Sequence, residues 1–365
     1  MKKKILITGG LGYIGSHAVV SFEQAGYETI ILDNLSNSSD TTLDNISEIL
    51  GYTPKFYKGD LRNIGEIETV FSEHIFDGVI HFAGAKAVGE SCDDPIYYFQ
   101  NNIAGSINLF EIMKKYEVKN IIFSSSATVY KTSPLAPLLK GEGNSAICET
   151  DELGTTNPYG TTKLLLEKIL EDLSEFAGFR VINLRYFNPI GAHVSGKLGE
   201  DPEGIPNNLL PYIMKVANGE LKSLQVFGND YDTIDGTGVR DYIDVNDLVD
   251  GHLLAYGKLE GKAGVSAGNK TSPQPFPLEE REQEQVKGFC AVYNLGIGKG
   301  VSVLEMVEAA RKITGQGISY DIVPRRSGDV GEVYCNPEKS KSELGFEAKV
   351  SLEESLMNSW KFYKK

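Results

Sequence analysis

Lys3-Lys4-Ile5-Leu6-Ile7-Thr8-Gly9-Gly10-Leu11-Gly12-Tyr13-Ile14-Gly15 decides the fold of this 365-residue chain. Ile5 to Ile7 form a short apolar run, the pattern of a strand buried on both faces of a parallel sheet. Glycines follow at 9, 12 and 15, after which His17 to Phe22 reads as helix. A strand that turns through glycines into a helix leaves backbone N–H groups and the positive helix end facing outward. With no side chains at the turn, a pyrophosphate can approach that backbone closely. Gly9, Gly12, Tyr13, Ile14 and Gly15 are therefore expected at a dinucleotide.

Outward from this turn, Tyr27 to Asn34 is a second strand ending in an acid. Asp33 lies 18 residues past Gly15, close to the spacing at which a carboxylate meets the ribose hydroxyls of NAD. A carboxylate there repels a 2′-phosphate, which favours NAD over NADP. Lys55 to Arg62 makes a third strand with Asp60 placed to touch adenine. Gly78 to Gly84 is a fourth and Asn120 to Ala127 a fifth, with helical stretches such as Tyr98 to Tyr116 between them. Strands and helices alternating in this rhythm predict an α/β fold with a doubly wound, Rossmann-like parallel sheet. Ligands in such sheets sit outside the carboxyl ends of the strands, where Asp33, Asp60, Phe82 to Lys86 and Ser124 to Ser126 fall. His81, inside a strand, reads as a core residue.

Asn157-Pro158-Tyr159-Gly160-Thr161-Thr162-Lys163 opens a long amphipathic helix. Tyr159 and Lys163 are four apart and share one helical face. An ammonium held near a phenol lowers the phenol's pKa from about 10 toward the working pH, which makes a general base of a tyrosine. Val181 to Gly191 is a sixth strand running into an irregular loop. From about residue 189 the alternation lapses, and loop-rich sequence is expected to about 240. We divide the chain into a NAD-binding part, 1–188, and a smaller, mixed substrate-binding part, 189–365, some segments of which return to the first. Arg240 and the pair Arg325-Arg326 suit a diphosphate, because a guanidinium makes paired, charge-assisted hydrogen bonds. One of that pair is expected in a surface ion pair instead. Two proline-rich stretches containing Lys-Thr-Ser-Pro, about 131–143 and 268–288, read as insertions looped out of a finished fold.

The net charge of −14 argues against nucleic acid or an anionic membrane as a main partner. No apolar run is long enough to span a membrane, and the chain enters its first strand without a signal peptide. Cys92, Cys148, Cys290 and Cys335 are scattered, so neither a metal site nor a disulfide framework is expected, and a reducing cytoplasm fits.

Together these residues resemble the extended short-chain dehydrogenase/reductase superfamily and, within it, the UDP-glucose 4-epimerase family. The superfamily marks are Gly9-x-x-Gly12-x-x-Gly15, Ser126 and Tyr159-x-x-x-Lys163. Marks closer to the epimerases are Thr8 to His17, His81 to Ser91, Ser124 to Tyr130, Leu184 to His193, Gly204 to Leu209 and Val239 to Ile243. The likeness spans nearly the whole chain outside the two insertions. It departs at Lys131, where the family usually has glycine, at Asp244, where histidine is frequent, and at the variable position Val333.

The resemblance implies reversible interconversion of UDP-galactose and UDP-glucose through a 4-keto sugar, with NAD held throughout and two chains pairing as a homodimer. It assigns catalysis to Ser126, Tyr159 and Lys163. It places Asp33, Asn34, Leu35, Ser36, Asn37, Ser38, Asp60, Leu61, Phe82, Ala83, Gly84, Ala85, Lys86, Asn101, Ser126, Tyr159, Lys163 and Phe187 at NAD, with the glycine turn. It places Lys86, Ser126, Tyr159, Tyr186, Asn188, Asn208, Leu209, Phe227, Arg240, Arg326, Asp329 and Val333 at the UDP-sugar. A small residue at 333 implies room for a 2-acetamido group, and so activity on UDP-N-acetylglucosamine and UDP-N-acetylgalactosamine. The rivals are a nucleotide-sugar 4,6-dehydratase and a non-catalytic NAD-binding regulator. Ser125-Ser126-Ala127-Thr128 lacks the acid pair the former needs, and intact Ser126, Tyr159 and Lys163 speak against the latter.

Overall fold

The computed structural model describes residues 2–131, 146–202, 204–261, 288–326 and 329–364. The two proline-rich insertions lie outside the described residues except for their end positions Lys131 and Gly288.

Seven parallel strands form the main sheet: β1 (Lys4–Thr8), β2 (Glu28–Asp33), β3 (Lys55–Lys58), β4 (Gly78–His81), β5 (Asn120–Ser126), β6 (Arg180–Tyr186) and β10 (Phe289–Leu295). Their spatial order is β10-β6-β5-β4-β1-β2-β3. Order reverses between β1 and β4, so a crevice opens at the carboxyl ends of that pair. The apolar runs alternate between two cores, as a pleated strand must. Ile5, Ile7, Ile31, Ile80 and Ile122 face one layer, with Val19 and Phe22 of helix α1 (Tyr13–Gln24). Leu6, Ile30, Leu32, Val79 and Ile121 face the other, with Leu109 and Leu166.

Helices α2 (Asp40–Leu50), α3 (Ile64–Glu73) and α4 (Val88–Asp93) follow their strands in turn. The stretch expected as one helix over 98–116 instead starts at Pro95 and is interrupted. Helix α5 (Pro95–Tyr98) passes into a π-helical turn, Phe99–Ala104, before α6 (Gly105–Lys115). Helix α7 (Pro158–Ala177) begins at the cap Asn157, whose side chain accepts from Gly160 N, with Pro158 at the first helical position, and ends at left-handed Gly178.

After β6 the chain changes sheets within two residues. β7 (Asn188–Ile190) pairs not with β6 but with β9 (Val239–Asp244), which also carries β11 (Gly300–Ser302) and β13 (Glu332–Val333). A third, two-stranded sheet joins β8 (Leu224–Phe227) to β12 (Tyr320–Val323). The region expected as loop to 240 also contains a helix, α8 (Leu209–Ala217). Pro211 disguised it: proline in a first helical turn costs no hydrogen bond, because that N–H has no intrahelical partner. Helix α9 (Val245–Leu259) returns to pack on the main sheet, where Leu248 and Tyr256 join the same core as Phe22. Helix α10 (Val303–Thr314) starts with a reciprocal Ser302–Glu305 capping box. Helices α11 (Glu338–Leu344) and α12 (Leu352–Tyr363) complete the described chain. Ile190, Met214, Val226, Tyr242, Met306 and Leu356 form the core of this C-terminal part.

Candidate active site

The turn after β1 admits backbone only. A Cβ on Gly9, whose φ is +67°, would stand 2.8 Å from Ala83 N, and one on Gly15 would stand 2.1 Å from Gly9 O. Gly12 caps α1 without any side-chain hydrogen bond, so the donors of that helix end stay available to an anion. Asp33 ends β2 beside this turn, and its carboxylate accepts from Leu11 N at 3.0 Å, Leu35 N at 2.9 Å and Ser38 Oγ at 3.0 Å. Leu35 takes a left-handed φ of 62°, rare for a branched residue and typical of functional loops. A glycine cradle, an unfilled helix end and an acid at the next strand end together fit NAD.

The Asp60 carboxylate is taken up by a bidentate contact with Arg62 and by Asn34 Nδ2, and the Arg62 guanidinium holds it well below the usual carboxylate range. At the end of β4, Ala83 to Lys86 form the loop facing the crevice. Asn101 donates to Asn102 Oδ1 at 3.0 Å. Asn102, which no sequence motif singles out, grips that loop: its Oδ1 accepts from Ala85 N at 2.8 Å and its Nδ2 donates to Ala85 O at 3.0 Å. Both asparagines sit in the π turn, which adds a residue to the turn and re-aims side chains. His81 is a buried core residue bonded to Thr8 Oγ1 and Ser106 Oγ, and burial lowers it to about 3.

Ser126, Tyr159 and Lys163 meet where β5 and α7 converge. Ser126 Oγ accepts from Thr128 N at 3.2 Å and Thr128 Oγ1 at 3.0 Å. Gly160 lets the helix start approach that strand end, since a Cβ there would lie 2.8 Å from Thr128 O. Tyr159 is half-buried; desolvation raises its phenol, and the neighbouring Ser126 hydroxyl pulls the other way. Lys163 Nζ lies 5.9 Å from the Tyr159 ring centroid and donates to Ser124 O at 2.7 Å. Lys163 itself is lowered by burial to about 8. The expected depression of the Tyr159 pKa is therefore absent from this arrangement: desolvation of the phenol dominates, and the ammonium is aimed at a backbone carbonyl.

Tyr186, the neighbour of Ser126 across β6, is bonded to His252 Nε2. His252 Nδ1 faces Leu248 O at 2.8 Å, so that nitrogen carries the proton and Nε2 accepts from the Tyr186 hydroxyl. Burial lowers His252 to about 4 and keeps it neutral. The Tyr186 hydroxyl proton is thereby committed to His252 Nε2.

Several of the residues expected at the UDP-sugar lie on or beside the smaller sheets. Asn188 pairs with Tyr242 of β9, two positions after Tyr186, and Phe187 is the link between the sheets. Arg240, on β9, pairs with Asp329 and lies in register with Val333 of β13. Arg326 stacks over Phe227 at 3.9 Å, whereas Arg325 pairs with Asp230 on the surface. Asn208 and Leu209 stand at the start of α8, where Asn208 makes no capping bond and donates instead to Glu200.

Near Ser126 and Lys163, Glu167 and Arg185 form a buried bidentate pair with contacts of 2.6 and 3.0 Å. Ser125 Oγ donates to the same carboxylate. Glu167 follows Lys163 by one turn, a spacing that a search for paired charges would have caught. Asp244, at the position where histidine is frequent, caps α9 through Asn246 N and accepts from Ser355 Oγ at 2.6 Å.

The chain matches the NAD dependent epimerase/dehydratase family over residues 5–266. It is 48% identical over 359 residues to the UDP-glucose 4-epimerase of Bacillus subtilis (strain 168), covering 98% of this chain and 96% of that one. Among solved structures, it is similar to UDP-glucose 4-epimerase from Bifidobacterium longum in complex with NAD+ and UDP, with a TM-score of 0.86, 44% identity, and coverage of 99% and 98% of the two chains. The Stenotrophomonas maltophila enzyme with bound NAD and formylated UDP-arabinopyranose gives a TM-score of 0.86 at 40% identity, with 99% and 98% covered.

Proposed function

This chain belongs to the NAD dependent epimerase/dehydratase family, and we propose that it inverts C4 of UDP-hexoses, interconverting UDP-glucose and UDP-galactose. The convergence of Ser126, Tyr159 and Lys163 beside the glycine cradle carries this reading. Residues 1–188 hold NAD and residues 189–365 the UDP-sugar.

NAD held by the glycine turn and Asp33 would supply the acceptor for a hydride from C4 and its return. Tyr159 accepts the proton of the 4-hydroxyl and later gives it back, while Ser126 hydrogen-bonds the same oxygen. Lys163 supplies a nearby positive charge that favours the phenolate, against the burial that raises it. Asn188, Asn208, Phe227, Arg240, Arg326 and Asp329 hold the nucleotide and diphosphate, so that the hexose alone turns and presents its other face. Because proton and hydride are both restored, no outside oxidant is consumed. Ser125, Ala127 and Thr128, around Ser126, offer no acid for the loss of water, which sets the dehydratase reading aside.

Val333 gives the hexose pocket a small wall, and we include UDP-N-acetylglucosamine and UDP-N-acetylgalactosamine among the substrates. The chain works as a homodimer in the cytoplasm. Ile96, Phe99, Ile107 and Leu165 are exposed on α5, the π turn, α6 and α7, and a second copy would cover them. Among the described residues, no helix is long and apolar enough to cross a membrane.

Incubating the purified protein with UDP-galactose, without added oxidant or reductant, tests the main reading. UDP-glucose should accumulate to equilibrium. A dehydrated 4-keto product would support the dehydratase instead, and no turnover would support the regulator.

A further inference from the structure

Lys86 and Asn208, both assigned above to the UDP-sugar, donate to one atom. Lys86 Nζ and Asn208 Nδ2 each lie 2.7 Å from Glu200 Oε1. The two donors come from opposite sides of the crevice, Lys86 from the loop after β4 and Asn208 from the start of α8. Glu200 is fixed from behind, because its carbonyl accepts from the Tyr363 hydroxyl at the end of α12. Its side chain is 10% exposed, against 48% for Lys86, so the carboxylate is a shielded anchor and the lysine the mobile partner. Glu200 also faces the half-buried Tyr13, whose phenol it helps desolvation to raise.

We propose that Glu200 restrains substrate capture, its carboxylate holding Lys86 and Asn208 together as an internal stand-in for the diphosphate. The UDP-sugar then takes both donors over from it. This rests on the assignment of Lys86 and Asn208 to the substrate. The clasp orders a long, flexible lysine across the crevice before the ligand arrives, which lowers the entropy lost on binding. It also competes, since a charge-assisted bond must be broken and an anion must approach a carboxylate. Competition wins here, because the carboxylate is shielded and the incoming diphosphate carries the same sign.

Calorimetric titration of the NAD-loaded protein with UDP tests this, using Glu200→Gln, Lys86→Met, Asn208→Ala and the Glu200→Gln/Lys86→Met double variant. Glu200→Gln keeps the shape and removes the charge, and should lower the Kd for UDP roughly three- to tenfold. Lys86→Met should raise it, and in that background the gain from Glu200→Gln should shrink below about twofold, as coupled residues require. Weaker or unchanged UDP binding in Glu200→Gln overturns the clasp alone, provided Lys86→Met still weakens it. A gain of equal size in both backgrounds also overturns it, because the effect would not run through Lys86. Wild-type UDP binding by both Lys86→Met and Asn208→Ala would remove the underlying assignment, and the proposal with it.

Discussion

Tyr159 is half-buried and desolvation raises its phenol, so the basicity proposed for it has to come from charges placed around it. Tyr159→Phe keeps the ring and removes the ionisable oxygen. Turnover of UDP-galactose should fall by about 10²–10⁴-fold, the usual worth of a general base, with the Kd for UDP little changed. Near-normal steady-state turnover would take Tyr159 out of the mechanism. Val333 is in register with Arg240, close to the groups proposed to hold the diphosphate. Val333→Tyr should abolish activity on the N-acetylated sugars and spare UDP-galactose, since overpacking a tight wall costs roughly 1–3 kcal/mol. Failure of the unaltered protein to epimerise the N-acetylated pair would refute the pocket reading. Asp244 differs in kind. Burial pushes it up to about 6 from an ordinary 3.8, so the folded state holds the Asp244 proton more tightly than the unfolded one. Its contribution to stability is therefore greatest below about pH 4, declines between pH 4 and 6, and is lowest above. Asp244→Asn keeps the capping oxygen without the charge, and should stabilise by on the order of 1–2 kcal/mol at pH 8. That gain should close toward pH 4, as read by urea unfolding at both pH values.

At the scale of elements, the π turn does what neither flanking helix could. Its extra residue brings Asn102 over the loop after β4, where it bonds both Ala85 groups and donates to Thr162 Oγ1 at 3.1 Å. Thr162 in turn donates to Tyr159 O, so one side chain joins the cofactor loop to the catalytic helix. Asn102→Ala should cost about 1–3 kcal/mol of stability. It should also loosen NAD, seen as nucleotide lost on gel filtration, while retention equal to wild type would reduce Asn102 to a packing role. Six strands of the parallel sheet were legible, most plainly β1 and β2, which are apolar runs closed by a glycine and an acid; β10 was not, because it stands beyond the second insertion, away from the alternation of strands and helices. The cradle was legible because only backbone fits there, and the Tyr159–Lys163 pair because helical spacing is local. The π turn was not, since no residue type demands it. Helix α8 was hidden by a proline whose cost vanishes in a first turn. Glu200 escaped because its two partners lie 114 and 8 positions away, and only the folded crevice makes them neighbours.

For the whole molecule, the amphipathic helices α5 to α7 matter beyond one chain. Leu166 and Leu170 of α7 are buried in the chain's own core, so they are not available to a partner, whereas Leu165 and Ile107 remain exposed. We expect light scattering at micromolar concentration to give twice the 40.0 kDa of one chain. Leu165→Glu with Ile107→Glu should shift it toward monomer, and a monomer mass for the unaltered protein would count against the pairing. The main sheet, meanwhile, is closed by β10, which arrives more than a hundred residues after β6 ends. On a ribosome adding about 5–20 residues per second, β6 waits roughly 5–20 s for its last neighbour. A nascent chain stopped at residue 288 already carries the glycine cradle and Tyr159, yet still presents the open edge of β6 to any passing strand. Biosynthesis of this protein thus has a window of vulnerability set by topology, and it shuts only when Phe289 to Leu295 leave the ribosome and dock.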